Sequence, residues 1–258
     1  MLRAPSSVAQ IDNVYLDIYL ILYDMLNDDD EELRDLATAT ASLVLSYSTV
    51  SPSKAVSLAP LNASELFAGF LASNYAASRQ LCNGILQYIS GRTPRLSDPI
   101  DKRGLTPVSS LVSEYRKEST VLFVEEKQNL FVDDVREVEL WCRTLHLLAK
   151  SSYGSGDSLR EIATWASEGL DYLSKTVAGS TGTDGPLGWT SKPEIFTLGV
   201  RVICISAAMV SPMFPAGEIL DSGCKQALKK GLESLLRDGS AASVNGEWLA
   251  RVQAGLES

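Results

Sequence analysis

The sequence predicts an all-α fold, an α-solenoid built from helical hairpins. Three observations predict it. Apolar residues recur at spacings of three, four and seven through most of the chain, the mark of helices that each bury one face. No segment shows the apolar–polar alternation or the two-residue turn of a β-hairpin. Finally, an order of acids, an aliphatic residue and Arg occurs twice, in residues 28–37 (DDDEELRDLA) and 133–137 (DDVRE). In HEAT/armadillo-like repeats an Asp in this pattern caps a helix, the aliphatic residue enters the core and the Arg ties adjacent repeats together.

From Ile11 the apolar positions Val14, Tyr15, Ile18, Tyr19, Leu22, Met25 and Leu26 mark a first helix. Residues 27–32 (NDDDEE) form an acidic turn. A second helix follows, with Leu33, Leu36, Ala37, Thr40, Val44 and Tyr47 on one side, giving an antiparallel hairpin. Pro52 and Pro60 bracket a polar connection, and residues 61–71 and 75–89 read as another helix pair, the second carrying Leu81, Ile85, Leu86 and Ile89. Pro94, Pro99, Gly104 and Pro107 exclude a helix over residues 91–107.

The densest stretch is residues 121–141 (VLFVEEKQNLFVDDVREVELW). Its second half starts a helix whose apolar side is Phe131, Val135, Val138, Trp141 or Cys142, Leu145 and Leu148. Asp133 and Asp134 suit the N-terminus of that helix, where unpaired N–H groups favour negative charge. Residues 153–157 (YGSGD) read as a turn, and Leu159, Ile162, Ala163, Ala166, Leu170, Leu173 and Val177 as the next helix. A Gly/Thr-rich loop covers residues 179–193. Residues 195–210, Arg201 included, are apolar nearly all round, as in a helix buried between layers. Pro212 and Pro215 end it. Ile219, Leu220, Ala227, Leu228, Leu232 and Leu235 mark one more helix, and Trp248, Leu249 and Val252 a short terminal one. Residues 1–150 therefore carry the repeat motifs, and residues 151–258 add hairpins to the same solenoid.

Composition narrows the function. A net charge of −9 argues against a general nucleic-acid-coating or membrane-surface role. The four cysteines lie far apart on apolar helical faces with no C-x-x-C pair, which reads as free thiols in a reducing, cytoplasmic setting. Catalytic apparatus is not legible. The one histidine, His146, lies a turn after Cys142, but no further ligands stand at zinc spacing, so a packed or capping histidine is expected and no metal. Residues 179–188 (GSTGTDGPLG) lack the G-K-[ST] ending and preceding strand of a phosphate loop, so no cofactor is expected. Arg92, Arg95, Lys102 and Arg103 make a local basic patch in this acidic chain, a candidate contact for a phosphate backbone.

Two segments, LYDMLNDDDEELRDLA (residues 22–37) and LFVEEKQNLFVDDVREVELW (residues 122–141), resemble the C-terminal part of the THADA-like family. The likeness is strongest over residues 12–148. It implies a non-catalytic α-solenoid that partners an FtsJ-like tRNA 2′-O-methyltransferase and helps present the anticodon loop. Glu125, Glu126, Lys127, Asn129 and Arg136 match the family pattern and are the candidate partner contacts it implies. The resemblance also makes the phosphate backbone met by Arg92, Arg95, Lys102 and Arg103 that of tRNA. Family members are several times longer, and their Arg-rich central domain has no counterpart here. The chain thus reads as a C-terminal piece, which should expose an apolar face at its N-terminal end. An alternative reading is a general protein-interaction solenoid, an adaptor for transport or cytoskeletal assembly.

Overall fold

A computed structural model describes residues 6–48, 60–75, 78–100, 105–118, 134–150, 155–178, 193–211, 214, 220 and 222–237. These residues form nine helices: α1 (Ser6–Leu26), α2 (Glu31–Ser48), α3 (Pro60–Asn74), α4 (Arg79–Ile89), α5 (Val108–Glu118), α6 (Asp134–Lys150), α7 (Ser155–Ala178), α8 (Pro193–Val210) and α9 (Ser222–Arg237). The described residues contain no strand, so the all-α expectation holds. None of these helices is long and apolar enough to cross a membrane.

The acidic turn folds as its chemistry dictates. Asp30 Oδ1 accepts from the amides of Glu32 (2.9 Å) and Leu33 (3.2 Å), capping α2. Arg34 donates to the carbonyls of Asp28 and Asp29, both at 2.7 Å. It therefore clamps its own turn instead of bridging to another repeat. That bridging role falls to Arg143 of α6. Its Nη1 donates to Ser64 Oγ of α3 (2.7 Å) and Asn27 Oδ1 at the end of α1 (3.3 Å). Ser64 in turn donates to Asn27 Oδ1 (2.8 Å), and Asn27 Nδ2 to the Tyr23 carbonyl (2.7 Å).

The helices group in threes at each end. At one end α1, α2 and α3 pack on one another, and at the other α7, α8 and α9 do. Between them α6 packs against α3, α4, α7 and α8, burying Trp141, Leu145, Leu147 and Leu148. Trp141, not Cys142, thus fills that position on the face read from the sequence. The expected pairing of residues 61–71 with 75–89 is replaced by packing of α3 on α1, α2 and α6, while α4 lies on α6 and α7. Aromatic rings drive this. Tyr19 of α1 meets Phe67 and Phe70 of α3 edge-on at 5.9 and 5.3 Å, and Tyr75 at 5.9 Å.

Two apolar faces are rotated from the reading above. In α1 the buried side is Leu16, Leu20, Leu22, Tyr23 and Leu26, leaving Val14, Tyr15 and Ile18 exposed. In α2 the small residues Ala37, Thr38 and Ala41 are buried and Leu36 and Leu43 are exposed. Small side chains let neighbouring helices approach closely, so burial follows fit as much as hydrophobicity. Helix α5 arises within residues 108–118, where no helix was expected; Val108, Leu111 and Val112 are buried. Residues 155–157, expected as part of a turn, already belong to α7, and α9 starts only at Ser222. Residues 179–192 and the segment around Trp248 lie outside the described residues.

Candidate interaction surfaces

The stretch after α4 is ordered by a half-buried carboxylate. Gly91 takes a left-handed φ of +78°, which turns the chain away from α4 and which glycine adopts without strain. The Asp24 carboxylate then accepts from the amides of Leu96 (3.0 Å) and Ser97 (2.8 Å), and Leu96 is buried. Burial pushes the Asp24 pKa up, against the opposing pull of the hydrogen bonds from Ser97 and Leu96. Asp98 Oδ2 accepts from the Arg95 amide at 2.8 Å and closes the turn.

This geometry places two of the four loop cations beside acids. Arg92 Nη1 lies 3.4 Å from Glu114 of α5, and Arg95 Nη2 lies 3.9 Å from Asp28. Lys102 and Arg103 lie outside the described residues, as do Glu125, Glu126, Lys127 and Asn129. Arg136 falls in the first turn of α6, but its side chain is likewise outside what is described.

A second cationic surface was not read from the sequence. On α9, Lys229 and Lys230 are exposed and Lys225 half-exposed. Among the described residues none of the three has an ion-pair partner, whereas Lys175 on α7 is paired with Asp171 at 2.5 Å. The signal was present as Lys225, Lys229 and Lys230 against Glu233 alone, within a chain of opposite net charge.

Among the described residues the one buried cation is Arg201. Its guanidinium carbon lies 4.1 Å from the Trp141 ring centroid, and Nη1 donates to the Tyr88 carbonyl at 2.5 Å. Its guanidinium also covers Gly91, where an added Cβ would sit 3.6 Å from it. His146 is used structurally: Nδ1 lies 2.8 Å from the Cys142 carbonyl, and the ring stacks edge-on against Phe214 at 5.3 Å. No disulfide joins the four cysteines, and Cys82 and Cys204 are buried. Among the described residues no three His, Cys, Asp or Glu side chains gather where a metal ion could sit.

The geometry is that of a repeat array offering charged and apolar outer surfaces. Comparison with known proteins agrees. Over 196 residues the chain is 26% identical to a Schizosaccharomyces pombe protein named as the tRNA (32-2′-O)-methyltransferase regulator trm732. That match takes in 76% of this chain and 11% of the relative, so the chain spans about a ninth of it. No solved structure matches. The family model described as the Trm72 ARM-like repeat region matches residues 69–258, and the chain belongs to that family, Trm732_C.

Proposed function

We propose that this chain is the ARM-like repeat part of a non-catalytic regulatory subunit. The subunit partners an FtsJ-like methyltransferase that adds a 2′-O-methyl group to a ribose of the tRNA anticodon loop. The family match over residues 69–258 carries this reading, and the regulator named in S. pombe supports it. The solenoid binds the methyltransferase and presents the tRNA to it, while the methyl donor is held by the partner. Residues 125–129 and Arg136 are the proposed methyltransferase contacts. Arg92, Arg95, Lys102 and Arg103, together with the α9 lysines, are the cationic groups that meet phosphate.

The test is co-purification combined with a methylation readout. Tagged protein expressed in its native cell should bring down an FtsJ-like methyltransferase. Disrupting the gene should abolish ribose 2′-O-methylation at tRNA position 32, read as a lost primer-extension stop at low nucleotide concentration. Intact methylation after disruption, with no methyltransferase recovered, overturns the reading.

A further inference from the structure

Helix α1 is apolar on two sides, and among its described residues only one side is covered. Its inner side holds Leu16, Leu20 and Tyr23 in the core. Its outer side carries Val14, Ile18 and Ile21, which are 58%, 52% and 50% exposed, and half-buried Met25 continues the row. The spacings are four, three and four. That is the seam which one α-helix presents to another, since a straight helix brings such positions into line along about 16 Å of its axis. An extended peptide would need positions two apart. A row of half-exposed aliphatic side chains of this size is uncommon on a surface that faces only water.

The surroundings define the occupant further. Neither α1 nor α2 contains a Lys or Arg apart from Arg34, which is held by its own turn. At the turn end of α1, Asp29, Asp30, Glu31, Glu32 and Asp35 are all exposed. This acidic edge disfavours an anionic lipid surface and favours a helix with basic residues along one border. The covered side of α1 packs on α2 and α3, so among the described helices the open row lies at the end of the stack. The segment matched in the S. pombe relative is 11% of that protein's length, which leaves most of its chain available to continue such a stack.

From these observations we infer that the outer face of α1 is a stacking surface for a further helical hairpin of the same repeat array. That hairpin has an apolar 4-3-4 seam and a basic border toward the α1–α2 turn. The inference holds whether or not the array serves tRNA methylation.

A fusion tests it. The helical hairpin immediately preceding the S. pombe trm732 counterpart of α1 is joined ahead of residue 1. Hydrogen exchange of the α1 amides is then compared with that of the unfused chain. The expected result is about a tenfold slowing of α1 exchange on fusion, lost when Ile18→Asp and Ile21→Asp are introduced. Both side chains are half-exposed, so the same pair in the unfused chain should leave its urea midpoint unchanged, which shows that the variant folds. Three results overturn the inference. One is α1 exchange that the fused hairpin does not change. Another is an unfused chain that sediments as a dimer dissociated by Ile18→Asp, which makes a second copy the occupant. The last is an α1 face that binds anionic phospholipid vesicles.

Discussion

The Arg201 guanidinium lies face-on against Trp141, 4.1 Å from its centroid, and joins helix α8 to helix α6 at the middle of the molecule. Both residues are nearly inaccessible, at 8% and 1% exposure. A buried cation needs acceptors for its donors and gains from a polarisable surface beside it; here the Tyr88 carbonyl accepts from Nη1 and the indole supplies the surface. Truncation by Arg201→Ala removes those contacts and leaves a cavity, and should cost about 3 kcal/mol in urea unfolding. Arg201→Met keeps the packing on Trp141. It also leaves the Tyr88 carbonyl bonded to the Gly91 amide at 3.1 Å, so its cost should be about 1 kcal/mol. Equal costs for the two variants would show that the charge, not the packing, matters at this position.

Glycines in the helices separate close packing from open surface. A Cβ on Gly169 of α7 would stand 2.8 Å from Val108 Cγ2 and 3.0 Å from Val202 Cγ1, and one on Gly231 of α9 would stand 2.9 Å from Leu170 Cδ1. At Gly69 of α3 nothing lies within 4 Å. Gly169→Ala must push α5 or α8 outward and should destabilise by about 1–3 kcal/mol. Gly69→Ala gains helix propensity without a clash and should stabilise by about 0.5–1 kcal/mol. Thermal unfolding of the two variants should therefore shift in opposite directions.

Asp24 gives the pH dependence. Its pKa is raised in the folded chain, chiefly by burial, so the folded state binds a proton more readily than the unfolded state. Stability attributable to this carboxyl is therefore greatest below the unfolded pKa and declines as pH rises through the folded value. Asp24→Asn replaces one of the two oxygens that accept the Leu96 and Ser97 amides and leaves an amide unpaired, at a cost of about 1–3 kcal/mol. That cost should be largest near pH 4 and shrink toward neutrality. Denaturant unfolding at several pH values checks the trend, and a cost that grows with pH contradicts it.

The repeat architecture was legible because most helices carry a single apolar stripe: α4, α6 and α7 bury the residues their spacing selects, including Ile85, Leu145 and Leu170. Legibility failed where a helix has no single stripe. Helix α1 is apolar on two sides, so periodicity names both faces and only the neighbours choose Leu16 and Leu20 over Val14 and Ile18. In α2 the buried residues are small, and Leu36 looks more like core than Ala37 until helix separation is known. The proline-rich surroundings of residues 91–107 obscured α5, although Val108, Leu111 and Val112 stand at helical spacing just beyond them. Charge was the least legible property. Pairing of Arg92 with Glu114 and Arg95 with Asp28 depends on residues distant in sequence.

That pairing sets the last prediction, which concerns the proposed contact with tRNA. A cation already beside a carboxylate gives up part of its attraction for phosphate, whereas Lys225, Lys229 and Lys230 have no carboxylate partner among the described residues. Reversing all three lysines to Glu should weaken tRNA binding by the complex of this protein with the proposed methyltransferase partner. It should also flatten the dependence of log affinity on log salt by about 2–3. Reversing Arg92 and Arg95 should flatten it by less than 1, because Glu114 and Asp28 are then released from their partners. Fluorescence anisotropy of labelled tRNA across a salt series measures both slopes. A larger effect from the arginine pair than from the lysine triple would place the phosphate contact on the loop after α4 and remove α9 from the interface.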